Sequence, residues 1–201
     1  VCVVCNPNNP TGCILPATWV LEVAHTCAQA GGFLIVDEAF ADFENQSVAP
    51  YLPHPALGVL RSFGKTYGLP GVRLGFFLAA PALAAQVKAV LGSWPVGTVA
   101  LAVGAQALAD GEWRAQAAQQ ARQAQARLNA CLQSHGLKTQ GQCSLFTLVV
   151  SAQAAHIWQH FCQYGLVTRL FAQWPTLLRI GLAPSQEAWS RLEEALLRLK
   201  L

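Results

Sequence analysis

The stretch Phe33-Leu34-Ile35-Val36-Asp37-Glu38-Ala39-Phe40 runs four apolar residues directly into two acidic ones. A short continuous apolar run of this kind is typical of a strand buried on both faces. A similar run lies at Val1 to Cys5, and a third strand is predicted at Leu57 to Phe63. Between the first two, Pro16 to Ala30 carries apolar residues at helical spacing and stops at Gly31-Gly32. The order strand, helix, strand predicts an α/β fold with a mostly parallel sheet.

The chain changes character after about residue 82. A fourth strand is predicted at 72–79. Helices are predicted at 82–91, 96–108, 110–134, 154–164 and 186–199, with strands at 137–140, 146–150 and 177–182. Mixed short strands and helices in this later part predict an α+β domain. We expect the boundary between the two parts to lie within the helices at 92–134.

Composition excludes several classes of protein. Hydrophobic residues make up 53% of the 201 and charged residues 11%, which excludes intrinsic disorder. The 13 basic residues are scattered, so we expect no nucleic-acid partner. The apolar runs are too short to span a membrane. The seven cysteines suit reduced thiols in the cytoplasm, and Cys2-x-x-Cys5 lacks the companion ligands of a metal site.

The stretch Ser62-Phe63-Gly64-Lys65-Thr66-Tyr67-Gly68-Leu69-Pro70-Gly71-Val72-Arg73-Leu74-Gly75 places a lysine in a glycine-rich turn after an apolar strand. We expect Lys65 to be held there with little exposure, which favours its neutral, nucleophilic form. A serine hydroxyl and an arginine guanidinium both bind phosphate, so Ser62 and Arg73 predict a phosphate site beside the lysine. The alternative is a surface turn with a solvated lysine.

Three further charged residues lie at informative positions. Asp37 ends a buried strand, where α/β sheets bind ligands, although it is also placed to cap the next turn. Glu38 points to the other side of the pleat and is interpreted as structural. Arg179 lies inside the apolar strand at 177–182, and a buried guanidinium needs an anion. That anion is either a substrate carboxylate or a structural acidic residue.

Four segments, taken in order and spacing, resemble the fold-type I pyridoxal-phosphate (PLP) enzymes, and within them the aminotransferase class I/II family. They are Asn6-Pro7-Asn8-Asn9-Pro10-Thr11-Gly12, Asp37-Glu38-Ala39 with an aromatic residue, Ser62-x-x-Lys65 with Arg73, and Arg179. The resemblance covers essentially the whole chain but only the later part of a typical member. It implies that residues 1–95 are the C-terminal part of a PLP-binding large domain, 96–134 connecting helices, and 135–201 a small C-terminal α+β domain. Since the chain has no Met and opens inside a strand, we expect an N-terminal part to be missing.

The resemblance also implies a role for each candidate residue. Lys65 holds PLP as a Schiff base and is the catalytic acid or base. Asp37 pairs with the pyridinium nitrogen, and Asn9 contacts the 3-oxygen and adjoins the substrate. Ser62 and Arg73 bind the cofactor phosphate. Arg179 binds the substrate's α-carboxylate, and Arg169 is a candidate contact to a phosphate or carboxylate, with a surface salt bridge as the alternative. Phe40 departs from the family, because many members carry a tyrosine there whose hydroxyl contacts the 3-oxygen.

Residues 37–43 (DEAFADF), Ser93-Trp94-Pro95-Val96 and the segment from Arg169 to Arg179 resemble the threonine-phosphate decarboxylase branch, which is close to histidinol-phosphate aminotransferases. The branch implies a homodimer that decarboxylates L-threonine O-3-phosphate to (R)-1-amino-2-propanol O-2-phosphate in cobalamin biosynthesis. Arg179 is compatible with decarboxylation and with transamination of a small phosphorylated amino-acid substrate. A third possibility is a truncated fragment that only folds and associates.

Overall fold

The computed structural model describes residues 1–200, and the chain falls into two compact units. The first comprises Val1–Asn9 and Ile14–Ala117; the second comprises Pro10–Cys13 and the residues from Ala118 onward. The division cuts the long helix within the 96–134 segment. The three-part division at 95 and 134 stays a prediction.

A four-stranded sheet of order β1-β2-β3-β4 forms the centre of the first unit. Its strands are β1 (Cys2–Cys5), β2 (Leu34–Asp37), β3 (Leu57–Ser62) and β4 (Gly75–Ala79). The first three run parallel, and β4 pairs with β3 antiparallel. The prediction of a mostly parallel sheet is therefore confirmed.

Four helices accompany this sheet along the chain: α1 (Ala17–Gln29), α2 (Pro81–Leu91), α3 (Thr98–Ala109) and α4 (Gly111–Ser134), the last shared with the second unit. Val20 and Ala24 of α1 are fully buried against Leu34 and Val36 of β2 and Leu57 of β3. An apolar helix face on an apolar strand pair is the arrangement that the periodicity of α1 predicted. This packing fixes the position of the strands that carry the candidate site.

The predicted start of β4 at residue 72 is wrong by three residues. Pro70–Val72 forms a 3-10 turn, and Arg73 adopts a left-handed backbone with φ of 56°. A proline-initiated turn followed by a left-handed residue cannot continue a strand, so pairing with β3 begins at Gly75.

The second unit has an entirely antiparallel sheet of order β5-β6-β8-β7. Its elements are β5 (Lys138–Gln140), β6 (Phe146–Val150), α5 (Ala154–Gln163), β7 (Arg169–Leu170), β8 (Leu177–Gly181) and α6 (Gln186–Arg198). Fully buried side chains from α4, α5 and β8 form its core: Leu128, Leu132, Ile157, Phe161 and Leu178. The two-residue strand β7 was not predicted, because two residues carry no periodicity.

The short segment Pro10–Cys13 packs with the second unit although it directly follows Asn9 of the first. The carbonyl of Gly12 accepts hydrogen bonds from the backbone N–H groups of Gln142 (2.7 Å) and Cys143 (3.1 Å). The approach is close enough to require glycine, since a Cβ at Gly141 would lie 2.4 Å from the Thr11 carbonyl oxygen. Within residues 1–200, none of the helices is long and apolar enough to cross a membrane.

Replacing Gly141 by alanine should destabilise the second unit far more than the matched change at Gly136. Both glycines have positive φ, 94° and 78°, but only Gly141 would clash, since nothing lies within 4 Å of a Cβ at Gly136. We expect backbone strain of about 1–2 kcal/mol in both variants and an added overpacking cost of about 1–3 kcal/mol in Gly141→Ala alone. Urea unfolding measures the difference, and equal losses in the two variants would contradict the close approach.

Candidate active site

The carboxyl ends of three parallel strands bring most of the predicted site residues to one edge of the first sheet. Backbone hydrogen bonds align these ends: the N–H of Asn6 donates to Asp37 (2.9 Å), and the N–H of Glu38 donates to Leu60 (2.9 Å). Asn9, Asp37, Ser62 and Lys65 all follow or end these strands. This edge is where α/β sheets bind ligands.

Asp37 is half-buried at the end of β2. Its Oδ1 accepts a hydrogen bond from the backbone N–H of Ala39 at 2.9 Å, which is the turn-capping contact foreseen as an alternative. That bond orients the carboxylate and uses a single oxygen. Capping and ligand binding are therefore compatible at this residue, because a carboxylate has two acceptor oxygens.

Asn9 and Asp37 both act on the same thiol, which shows that they flank one point of the edge. Burial raises the pKa of Cys5, a hydrogen bond from the backbone of Asn9 opposes that rise, and the charge of Asp37 adds to it. Asn9 itself is exposed. The loop after β1 thus lies beside the carboxylate that ends β2.

A small polar cavity of about 200 Å³ lies between the end of β3 and the start of β4. Ser62, Gly64, Pro70, Arg73, Leu74 and Gly75 line it. The Ser62 hydroxyl accepts from the N–H of Gly64 (3.3 Å), and Arg73 Nη1 donates to the Pro70 carbonyl (3.2 Å). Because a guanidinium, a hydroxyl and glycine backbone converge here, the residues present fit a phosphate group.

Lys65 directly follows Gly64, which lines this cavity, and it is exposed. The expectation that it has little exposure is wrong for this chain, because the turn buries the next two side chains, Thr66 and Tyr67, instead. The Nζ atom of Lys65 lies 5.6 Å from the centroid of the Phe40 ring. An exposed amine beside a phosphate-sized cavity is accessible to a bound aldehyde.

An ion-pair network behind this turn was not predicted from the sequence. Glu38 is fully buried and accepts from Arg61 (2.9 Å), from the Ser47 hydroxyl (2.8 Å) and from the N–H of Val48 (2.7 Å). Its interpretation as a structural residue is confirmed. Arg61 also pairs with Asp42. The signal was present in the sequence, since Arg61 lies inside an apolar strand just as Arg179 does.

Arg179 and Arg169 face each other across the β7–β8 pair of the second unit. Burial lowers the pKa of Arg179 and the neighbouring charge of Arg169 lowers it further, while Cys143 opposes the shift. Arg179 is half-buried with its guanidinium 5.1 Å from the Phe146 ring, and exposed Arg169 lies 5.8 Å from the Phe171 ring. Like charges directly opposite each other are unfavourable, so this pair is suited to an anion.

The alternative for Arg169, a surface salt bridge, is not seen: the ion pairs formed by residues 1–200 do not include it. Of the seven predicted site residues, the first unit holds Asn9, Asp37, Ser62, Lys65 and Arg73, and the second holds Arg169 and Arg179.

The family model described as aminotransferase class I and II matches residues 1–196. The chain belongs to this family. It is 42% identical over 201 residues to a threonine-phosphate decarboxylase of Sinorhizobium sp., covering 99% of this chain and 60% of that protein. It is 39% identical to the threonine-phosphate decarboxylase of Pseudomonas aeruginosa, covering 100% of this chain and 60% of that protein.

The class I and II fold is also shared with solved structures. A histidinol-phosphate aminotransferase from Sinorhizobium meliloti, solved in complex with pyridoxal-5'-phosphate, superposes with a TM-score of 0.84 at 25% identity. The match covers 98% of this chain and 57% of that one. The chain thus spans about 60% of the length of the curated relatives it matches.

Removing the charge of Glu38 should destabilise the first unit. Glu38→Gln leaves half-buried Arg61 with Asp42 as its remaining carboxylate partner, and losing the charged hydrogen bond to Glu38 should cost about 1.5–3 kcal/mol. The matched control is Glu187→Gln, whose carboxylate is 81% exposed and 3.9 Å from Arg191; we expect a change within about 0.5 kcal/mol there. Thermal and urea unfolding measure both, and similar losses would show that the Glu38 pair is not structural.

Proposed function

We propose that the protein containing this chain is a PLP-dependent enzyme that decarboxylates L-threonine O-3-phosphate. Its product is (R)-1-amino-2-propanol O-2-phosphate, used in cobalamin biosynthesis. The observation that carries the proposal is that Lys65 directly follows Gly64 of the cavity lined by Ser62 and Arg73, with its Nζ 5.6 Å from the ring of Phe40. Similarity to two threonine-phosphate decarboxylases supports the choice of reaction.

The residues of the first unit would hold the cofactor by distinct groups. Arg73 and the Ser62 hydroxyl bind its phosphate in the cavity they line. The carboxylate of Asp37 keeps a proton on the ring nitrogen, and the Asn9 amide donates to the 3-oxygen. When bound, PLP supplies an electron sink for the pair left at the substrate's Cα. Phe40 offers no hydroxyl at this place, so Asn9 is the side-chain donor of the set.

Lys65 is the residue that bonds the cofactor, and its freed amine then serves as the acid or base at Cα. In decarboxylation it donates a proton to Cα after the carboxylate leaves. In transamination the same amine removes the α-hydrogen. The nitrogen therefore performs the proton transfer in both reactions, and the bond that breaks depends on how the substrate's carboxylate is held.

The arginines of the second unit provide for a substrate with two anionic groups. Arg179 binds the α-carboxylate, and Arg169 binds a phosphate or carboxylate oxygen. L-Threonine O-3-phosphate carries both groups. Arg169 and Arg179 lie opposite each other on neighbouring strands, so the pair suits a small molecule with two anionic groups better than a molecule with one.

Transamination of a phosphorylated substrate such as histidinol phosphate is the second candidate. The likeness to the S. meliloti histidinol-phosphate aminotransferase supports it. A chain that folds and associates without catalysis is the third. A homodimer is further proposed, because Val90, Trp94 and Val99 expose 87%, 92% and 78% of their surface. None of the seven cysteines forms a disulfide within residues 1–200, which supports a cytoplasmic location.

Carbon dioxide release separates the three candidates. We expect the gene product with PLP to release carbon dioxide from L-threonine O-3-phosphate without any 2-oxo acid, and Lys65→Ala to lose at least about 100-fold of that rate. Lys88→Ala, an exposed lysine of the same unit, is the control and should match the unaltered protein. Amino transfer from histidinol phosphate to 2-oxoglutarate instead would favour the second candidate. A protein that catalyses neither reaction would favour the third.

Changes at Arg179 test the substrate site separately. Arg179→Gln should raise the KM for L-threonine O-3-phosphate by at least about tenfold, because a charge-assisted bond to the substrate is lost. Arg198→Gln removes an arginine whose one ion pair within residues 1–200 is the exposed one with Glu194, and it should leave KM unchanged. An unchanged KM in Arg179→Gln would exclude Arg179 from the substrate site.

A further inference from the structure

The turn that carries Lys65 has little intrinsic rigidity. Gly64 precedes the lysine, and Gly68 follows it with a left-handed φ of 64°. One backbone hydrogen bond, from the N–H of Gly68 to the Lys65 carbonyl at 3.1 Å, closes the turn. A glycine-bounded turn explores many conformations unless side chains hold it. A catalytic amine there needs a further constraint to reach one point reproducibly.

Thr66 supplies a connection from this turn to the buried interior. It is 7% exposed, and its hydroxyl donates to Asp42 Oδ2 at 2.7 Å. Asp42 lies in the 3-10 turn Ala41–Phe43, two residues after Phe40. The segment that follows β2 thus holds Thr66, the residue next to Lys65, and also contains Phe40, whose ring centroid lies 5.6 Å from the Lys65 Nζ.

Asp42 is itself fixed by a charge network. Its other oxygen accepts from Arg61 Nη1, while Arg61 Nη2 reaches Glu38 at 2.9 Å and the Ser47 hydroxyl at 2.8 Å. One guanidinium therefore bridges two carboxylates, and each bridged group has a defined orientation. Planar guanidinium–carboxylate contacts set direction as well as distance. The buried Glu38 fixes the guanidinium of Arg61, which orients Asp42. Asp42 in turn restrains Thr66 through their hydrogen bond.

We propose that Asp42 is a positioning residue for Lys65: clamped by Arg61, it fixes the lysine turn through the Thr66 hydroxyl. This inference rests on the proposed function, since it concerns the amine that would bond PLP. Asp42 does not touch the cofactor or substrate in this role. Its effect is on how readily the amine of Lys65 reaches the aldehyde, and so on PLP affinity and on kcat more than on KM.

The test compares variants of the gene product by PLP titration, followed by the visible absorbance of the bound cofactor. Thr66→Val removes the hydroxyl and keeps the shape, and Thr66→Ser restores a hydroxyl. Asp42→Asn withdraws one acceptor oxygen and tests the same bond from its other side. Thr18→Val is the matched control, because Thr18 is exposed on α1 of the same unit. Unfolding of each apoprotein is measured in parallel, and the colour retained by Lys65→Ala is subtracted.

We expect Thr66→Val and Asp42→Asn to bind PLP about tenfold more weakly and to lose kcat at nearly constant KM. Thr66→Ser should recover most of the affinity, and Thr18→Val all of it. Unchanged affinity in Thr66→Val, or loss in Thr66→Ser as large as in Thr66→Val, would overturn the positioning role. An unaltered protein without Lys65-dependent colour would overturn the proposed function, and this inference with it. If the unaltered protein shows Lys65-dependent colour and both Thr66→Val and Asp42→Asn bind PLP with full affinity, the positioning role of Asp42 is overturned and the proposed function stands.

Discussion

The parallel pairing of β2 between β1 and β3 is the constraint on which the candidate site depends. Parallel strands end at the same edge, so the residues that follow them are brought together regardless of their separation in sequence. Cys5, Asp37 and Leu60 stand in register across the three strands. That register places the Asn9 loop close to Asp37. It also sets the position of the Ser62–Lys65 turn at the same edge of the sheet. A slip of one residue in β2 would turn Asp37 to the opposite face and exchange it with Glu38.

The two acidic residues at the end of β2 point to opposite sides of the strand and have different environments. Asp37 lies half-buried at the edge with one oxygen engaged by Ala39. Glu38 points inward, fully buried, and is neutralised by Arg61. Burial of an unpaired carboxylate would be costly, so the arginine of β3 is a condition for the glutamate. Through Asp42 and Thr66 the same arginine also reaches the lysine turn.

Periodicity predicted the sheet and most helices, because each was long enough to bury an apolar face: Val20 and Ala24 of α1 are examples. It failed at residues 70–75, where a 3-10 turn and the left-handed Arg73 replace the start of a strand. It also failed at β7, which is two residues long. The candidate site residues were predicted through the resemblance of four motifs to the family, but the network of Arg61 with Glu38, Asp42 and Ser47 was not predicted, since the fold brings its members together. The exposure of Lys65 and the packing of Pro10–Cys13 with the second unit depend on tertiary contacts that spacing does not encode.

The chain has four lysines, Lys65, Lys88, Lys138 and Lys200, and all four are exposed. Exposure alone therefore gives Lys65 no advantage, and only the groups around it distinguish it from the other three. Borohydride reduction of the protein with one equivalent of PLP, followed by peptide mapping, identifies the lysine that holds the cofactor. The account predicts that the pyridoxyl group is found on Lys65. A distribution of the label over Lys88, Lys138 and Lys200 would contradict it.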